Sequence, residues 1–319
     1  MSDLRPIEIS VIVPVLNEAE NLPLLLPRLS AELSNLGDYE IIIVDDGSTD
    51  ATLVGLQAAV QLDPRLRYVS LSKNFGHQAA LRAGLEFARG QCAISMDGDL
   101  QHPVELLQQM VERWRGGDEI VTTIRNDPER QSFLKRKTSR AFYSVLNWLS
   151  DVKIEPGSAD FRLLDRKVID VINGFTESDF FLRGIVPWVG FKSSAIQYTP
   201  NERMRGKTKY SWRRMTSLAL AGIVSSSIRP LRLATAFAVI IAGAAVLYSC
   251  YALVAFLKFG WVVPGWTSVI LAVSLIGSLQ LLVLGVIGEY LGRTLREVRK
   301  RPKFIVRQTN CQIAEKRSS

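Results

Sequence analysis

The chain has 319 residues, 47% apolar and 22% charged, with a mean hydropathy of +0.12. That length suits about two domains of roughly 150 residues, and the composition excludes a disordered or collagen-like chain. A net charge of +8 first suggests nucleic acid, but residues 1–229 balance 28 basic against 28 acidic side chains; residues 230–288 add only Arg232 and Lys258, and the remaining +6 lies in residues 289–319, beside an apolar block, where anionic lipid head groups would attract it.

In chain order, Met1 to Pro6 is polar and predicts no cleavable signal peptide. Residues 1–200 then alternate short apolar runs with helical segments. Strands are expected at Glu8–Val13, Glu40–Val44, Leu66–Leu71, Gln91–Met96 and Glu119–Ile124, and helices at Glu20–Leu36, Ala51–Leu62, Gln78–Arg89 and Pro103–Trp114. Such alternation implies βαβ units and a mostly parallel sheet. Tyr210 to Ile228 sets Trp212, Met215 and Leu218 against Arg213 and Arg214, the pattern of an amphipathic helix lying on a membrane surface.

Two uncharged runs follow, Leu233 to Leu257 and, after Lys258, Phe259 to Gly288, interrupted near its start by Pro264 and Gly265. Each is long enough to cross a hydrocarbon core of about 30 Å. Arg229 and Arg232 precede the first run and Arg293, Arg296, Arg299, Lys300 and Arg301 follow the second, so the positive-inside rule puts the large N-terminal part and the C-terminal tail in the cytoplasm. The expected domains are 1–209, globular; 210–229, juxtamembrane; 230–288, two transmembrane helices at about 233–257 and 264–288; and 289–319, a basic tail. Cys92, Cys250 and Cys311 form no metal or disulfide pattern, which fits a reducing compartment.

Each predicted strand ends in a polar turn, and in open α/β sheets ligands bind at those carboxyl ends. No glycine-rich dinucleotide fingerprint and no phosphate loop occurs, so a bound nucleotide must be held by carboxylates and a metal. Asp97-Gly98-Asp99 sets two carboxylates two residues apart, suited to one hard cation, although such a triplet also caps helices and Pro103 starts one nearby. Asp45-Asp46-Gly47-Ser48-Thr49-Asp50 suits a ribose or base edge, or equally a turn with a helix cap. His77 and His102, the two histidines, lack a partner at ligand spacing.

Taken together, Val13-Pro14-Val15-Leu16-Asn17-Glu18, Val44-Asp45-Asp46-Gly47-Ser48-Thr49-Asp50, Asn74-Phe75-Gly76-His77-Gln78 and Asp97-Gly98-Asp99-Leu100-Gln101-His102-Pro103 resemble the family 2 glycosyltransferases. So do Ser158-Ala159-Asp160-Phe161-Arg162-Leu163, Arg203-Met204-Arg205-Gly206-Lys207-Thr208-Lys209-Tyr210-Ser211 and Gly288-Glu289-Tyr290-Leu291-Gly292-Arg293. The whole chain is similar to the polyprenyl-phosphate glycosyltransferases, bacterial relatives of dolichol-phosphate mannose synthase.

The resemblance implies a GT-A fold, Rossmann-like and mostly parallel, and inverting transfer of a sugar from a nucleotide sugar to polyprenyl (undecaprenyl) phosphate at the inner membrane. It implies UDP-glucose as the favoured donor, Mg²⁺ or Mn²⁺ as cofactor, and a homo-oligomer. By the same resemblance, Pro14, Leu16, Glu18, Val44 and Asp46 lie against the base and ribose. Asp97, Gly98 and Asp99 meet the diphosphate, and Asp99, Gln101 and Asp97 hold the metal. Arg203 and Lys209 close over the diphosphate; Arg125, Lys135 and Ser139 receive the lipid phosphate. Asp99 and Asp160 are the catalytic positions, with Asp160 expected to orient acceptor or sugar instead of acting as base.

Two other readings are weaker. A processive polysaccharide synthase carries QxxRW, which Gln109-Met110-Val111-Glu112-Arg113-Trp114 misses by one residue. A non-catalytic nucleotide-sugar binder would not keep Asp97, Asp99, Arg203 and Lys209 together.

Overall fold

A computed structural model describes residues 7–125, 158–177, 181–199, 229–259 and 265–311. Two compact units divide these residues. The first takes in 7–125, 158–177, 181–199 and 301–311, and the second 229–259 and 265–300. Lys135, Ser139, Arg203, Lys209 and the amphipathic stretch 210–228 lie outside the described residues.

The first unit opens with the expected alternation: β1 (Ile9–Val15), α1 (Leu22–Leu33), β2 (Tyr39–Asp45), α2 (Thr52–Leu62), β3 (Leu66–Leu71), α3 (His77–Phe87), β4 (Cys92–Ser95), α4 (Leu106–Arg115) and β5 (Ile120–Arg125). Beyond these come β6 (Ser158–Asp165), α5 (Arg166–Asn173), α6 (Leu182–Trp188), β7 (Ser193–Tyr198) and a last strand, β8 (Val306–Thr309). They form one eight-stranded sheet in the order β7-β5-β6-β4-β1-β2-β3-β8. β1 pairs parallel with β2 and β4, β2 with β3, and β5 with β7. β6 runs antiparallel between β4 and β5, and β8 antiparallel along β3.

Every residue of β1 and β2 is buried, because helices cover both faces of the sheet. Period-two alternation sends Ile9, Val11, Val13 and Val15 to one face, where Leu25, Leu29 and Leu33 of α1 and Met110 and Val111 of α4 meet them. Ile12, Ile42 and Val44 point to the other face, against Ala80 and Leu81 of α3 and Val168, Ile169 and Ile172 of α5. Asp165 caps α5 by accepting from the Lys167 N–H at 2.9 Å.

The basic segment after residue 288 thus contains part of a sheet. Val69 faces Thr309 and Ser70 faces Gln308, Thr309 Oγ1 donates to the Tyr68 carbonyl at 2.6 Å, and Cys311 joins the core cluster beside Val69.

The second unit consists of α7 (Arg229–Phe259, 31 residues) and α8 (Trp266–Val298, 33 residues), which touch each other. At 1.5 Å per residue each is about 45–50 Å long. Large apolar side chains stand exposed along both, among them Phe237, Ile240 and Leu247 on α7 and Val273, Leu281 and Leu291 on α8. Among the described residues one stretch, Leu275–Val298, is long enough for a membrane span and contains an 18-residue segment of mean hydropathy 1.6, and Thr235–Tyr248 is a shorter apolar run. Two expected spans therefore correspond to two long helices, of which one meets that measure.

Candidate active site

The carboxyl ends of β1, β2 and β4 and the Asp160 end of β6 share one edge of the sheet, and the turns leaving them are tied to one another. After β1, Asn17 takes a left-handed conformation (φ 58°) that its short polar side chain tolerates. Its Oδ1 accepts from the Thr49 N–H at 2.8 Å, its own N–H donates to Ser48 Oγ at 2.9 Å, and the Glu18 N–H donates to Thr52 Oγ1 at 3.0 Å. Gly47 (φ 74°) cannot carry a side chain, since a Cβ there would lie 2.5 Å from the Lys73 backbone.

Asp45 accepts from the Ser48 N–H and from Ser70 Oγ, both at 2.9 Å. Asp46, 4% exposed, accepts from the Phe75 N–H at 2.7 Å and the Gly76 N–H at 2.9 Å. Burial nonetheless pushes the Asp46 carboxyl up, more than those two N–H bonds lower it. Pro14 is buried, Leu16 and Glu18 are half-buried, and Glu18 accepts from Asn21 Nδ2 at 2.5 Å. Val44 is fully buried in the core, so its side chain supports this turn from beneath and does not line it.

After β4 comes the Asp97-Gly98-Asp99 turn. Gly98 packs so tightly on β1 that a Cβ would meet Val15 Cγ1 at 2.8 Å, and Leu100 is held at φ 62°. Asp99 accepts from the Gln101 N–H at 3.2 Å and from Gln101 Nε2 at 2.6 Å. Gln101 Oε1 in turn accepts from Arg125 Nη1 at 3.3 Å. Gln101 thus links Asp99 to Arg125, and Arg125, expected at the lipid phosphate, stands beside the paired carboxylates.

His102 is buried, stacked on Phe161 (4.8 Å, 9°), and its Nδ1 accepts from the Asp97 N–H at 3.1 Å. Burial lowers its pKa despite the charges of Asp97 and Asp99, so it is a neutral prop under the turn.

Asp160 lies on β6, where Ser95 faces Arg162; two residues further along that register, Asp160 comes opposite Asp97. It is 4% exposed and accepts from Arg183 Nε (3.0 Å) and Nη2 (2.9 Å), Arg162 Nη2 (3.1 Å) and Gln78 Nε2 (3.2 Å). Burial alone would raise its pKa, but the hydrogen bond with His77 and the charges of Arg183 and Arg162 outweigh it and hold the carboxyl well below the usual range. Such a carboxylate is a poor proton acceptor at neutral pH. Arg162, 1% exposed, is lowered by burial to about 10 and stays protonated.

His77 Nε2 sits 3.5 Å from both Asp97 Oδ1 and Asp160 Oδ2. Its pKa is pulled down by burial, but the hydrogen bond to Asp160 and the charges of Asp97 and Asp160 raise it overall.

The structure therefore gathers Asp97, Gly98, Asp99, Gln101, Arg125 and Asp160 on one edge, with Glu18 and Asp46 beside them. It adds three groups that sequence reasoning missed. His77 and Gln78 were visible only as part of the Asn74–Gln78 block. No local pattern marks Arg183, whose partner Asp160 is 23 positions away.

Comparisons with known proteins agree with this architecture. The family described as glycosyl transferase family 2 matches residues 10–174. A prophage bactoprenol glucosyl transferase homolog of Escherichia coli K12 is 38% identical over 94% of this chain and 99% of its own. The bactoprenol glucosyl transferase of Shigella phage SfII is 37% identical over 95% and 98%. A mannosyltransferase of Pyrobaculum calidifontis, solved in complex with GDP-Man and Mn²⁺, has the same fold at 17% identity and a TM-score of 0.50, covering 93% of this chain and 89% of that one.

Proposed function

We propose, from the premise that the chain belongs to glycosyl transferase family 2, that it transfers glucose from UDP-glucose to polyprenyl (undecaprenyl) phosphate, with inversion at the anomeric carbon. One observation carries this reading: similarity to proteins named bactoprenol glucosyl transferases extends over 94–95% of the chain and so includes both helices of the second unit.

The chemistry suits the edge just described. A phosphate monoester has a second pKa near 6 and is largely dianionic at pH 7. It attacks the anomeric carbon without losing a proton, and the electron pair of the broken carbon–oxygen bond leaves with the nucleoside diphosphate. The base and ribose lie over the ends of β1 and β2, near Pro14, Leu16, Glu18 and Asp46. Asp97 and Asp99 supply hard oxygen donors, the set that holds Mg²⁺ or Mn²⁺ together with diphosphate oxygens. Among the described residues no group of three or more His, Cys, Asp and Glu is placed to hold a metal, which fits a cation completed by the donor. Bound there, the ion supplies positive charge to the leaving group. Arg203 and Lys209 add to that charge, while Arg125, Lys135 and Ser139 receive the lipid phosphate.

We read α7 and α8 as two transmembrane helices. Their exposed apolar side chains far exceed what a soluble surface carries. β8 gives independent support. Residues before α7 and after α8 belong to one sheet, so the chain crosses a bilayer an even number of times between them. Both helices span, or neither does. In a cysteine-free background, a cysteine at Ser268 should react with an impermeant maleimide on intact cells, and one at Arg307 only after permeabilisation. The reverse labelling would overturn the topology.

The substrate assignment is tested by offering purified protein UDP- and GDP-sugars with undecaprenyl phosphate and weighing the lipid product. A hexosyl lipid from UDP-glucose is expected, and a product from another donor alone would replace that sugar.

A further inference from the structure

We propose that β8 is a positioning strand for the donor site: docked along β3, it holds residues 72–76, and through them it sets the turn after β2. Its role rests on the reading above, in which that turn seats the base and ribose.

The direction of β8 brings it to the ligand edge. It runs antiparallel to β3, with Leu71 facing Val306 and Val69 facing Thr309. The residues that enter the sheet first after α8 therefore meet the carboxyl end of β3, on the edge where the turns after β1, β2 and β4 lie. There the Ser72 N–H donates to the Ile305 carbonyl at 2.8 Å. Phe75, Phe304 and Val306 all pack on the core cluster that holds Val44 and Leu71.

From Ser72 the chain passes into the nucleoside turn without slack. The Lys73–Asn74 backbone lies so close to Gly47 that a Cβ there would come within 2.5 Å of the Lys73 carbonyl carbon and 2.7 Å of the Asn74 nitrogen. The next two residues, Phe75 and Gly76, give their N–H groups to Asp46 at 2.7 and 2.9 Å. On β3 itself, Ser70 stands opposite Gln308 and donates its hydroxyl to Asp45 at 2.9 Å. Packed segments yield little, so contacts this close carry a displacement of residues 72–76 into the turn. Without β8 the Ser72 N–H loses its carbonyl partner, and the segment that holds Asp46 is tied on one side only.

Side chains lock the other end of the strand. Thr309 Oγ1 donates to the Tyr68 carbonyl, and Asn310 Oδ1 accepts from the Tyr68 N–H at 2.7 Å. None of the β8 residues belongs to the turns that meet the donor, so the strand acts on the nucleoside through β3 and residues 72–76.

The unaltered protein supplies the first test. If docking of β8 strengthens nucleoside binding, binding strengthens docking by the same factor. Hydrogen exchange of the full-length chain in lipid nanodiscs is followed with and without UDP. UDP should slow exchange about fivefold or more over the peptide carrying β8, while β7, at the opposite edge of the sheet, changes by less than about twofold. Val306→Asp, which sets a carboxylate against the core cluster, should weaken UDP binding about 10-fold, the effect of reducing the docked form to about a tenth of the population. The KM for undecaprenyl phosphate should stay within about twofold, because the loss falls on one substrate. Thr309→Val should lie between, and Thr309→Ser, which keeps the hydroxyl, should match wild type; this pair decides the matter if Val306→Asp does not accumulate folded. Unchanged UDP affinity in the folded variants, or no more protection at β8 than at β7, would reduce β8 to a stabilising strand and overturn the positioning role. A wild type that binds neither UDP nor any other nucleoside diphosphate would instead overturn the reading of the turn.

Discussion

Asp99→Asn is expected to slow transfer by about 10²–10³ while leaving the fold intact, the usual cost of removing one preorganised electrostatic element from an active site. Asp99 sits half-buried in the turn after β4, and no apolar core depends on it. In the folded chain its Oδ2 accepts from Gln101 Nε2 at 2.6 Å, and Gln101 is joined to Arg125. An asparagine keeps one carbonyl oxygen for the Gln101 N–H but offers a hydrogen-bearing nitrogen, or a lost interaction, at the other site. It also removes a negative charge from the carboxylate pair that, with Asp97, we propose seats a divalent cation. Rate against Mg²⁺ or Mn²⁺ concentration is the informative measurement. The variant should need more metal and still reach a lower plateau, with an unchanged circular dichroism spectrum. Wild-type rates at ordinary metal concentrations would remove Asp99 from the metal site.

Glu40→Ala is expected to act in the opposite sense, on stability and not on chemistry. Glu40 is 1% exposed near the start of β2, at the opposite end of that strand from Asp45 and the turn that follows it. Its Oε1 accepts from Ser10 Oγ (2.7 Å) and the Arg89 N–H (2.8 Å), and its Oε2 from Arg67 Nη1 (2.5 Å) and Arg89 Nη2 (3.1 Å). Removing the carboxylate deprives buried Arg67 of that counter-charge, a change that costs about 3–5 kcal/mol when a buried pair is broken from one side.

The pH dependence has a definite sign. Burial pushes the Glu40 pKa up, but the Arg89 N–H, Ser10 and Arg67 outweigh it and hold it below its ordinary value of 4.5. Its stabilising contribution is therefore complete above that value and fades as pH falls through the lower folded one. Thermal melts should show the variant well below wild type at neutral pH and the gap narrowing in acid, with KM values unaltered in the folded protein. A melt equal to wild type at pH 7 would show that the network carries no stability.

The parallel core was legible in the sequence because β1 through β4 are apolar runs buried on both faces, each followed by a helix and a polar turn. β6 was not read as a strand. Ser158–Asp165 carries Asp160, Arg162 and Asp165 in eight residues, and only tertiary pairing makes those charges tolerable inside a sheet. β8, four residues of mixed polarity, carries no periodic signal and owes its existence to the open edge of β3. In the site, Asp97 and Asp99 are neighbours in the chain and announce themselves. The Asp160 cluster draws on α3, β6 and α6, so its composition emerges only on folding. Val44, expected against the base and ribose, is next to that turn in sequence while its side chain points into the core.

The pairing of β8 with β3 also dictates an order of biogenesis. Thr309 Oγ1 bonds to a carbonyl 241 residues earlier, across the length of both long helices. At about 5–20 residues per second, a ribosome takes about 10–50 s to make the intervening chain. For that interval β3 is an unpaired sheet edge, the kind of template on which foreign strands dock. The enzyme's sheet is thus completed only after α7 and α8 have been synthesised, so a chain that stops short of residue 306 would leave the ribosome with its catalytic sheet one strand short. A closed β3 edge therefore marks a chain whose α7 and α8 have already been synthesised.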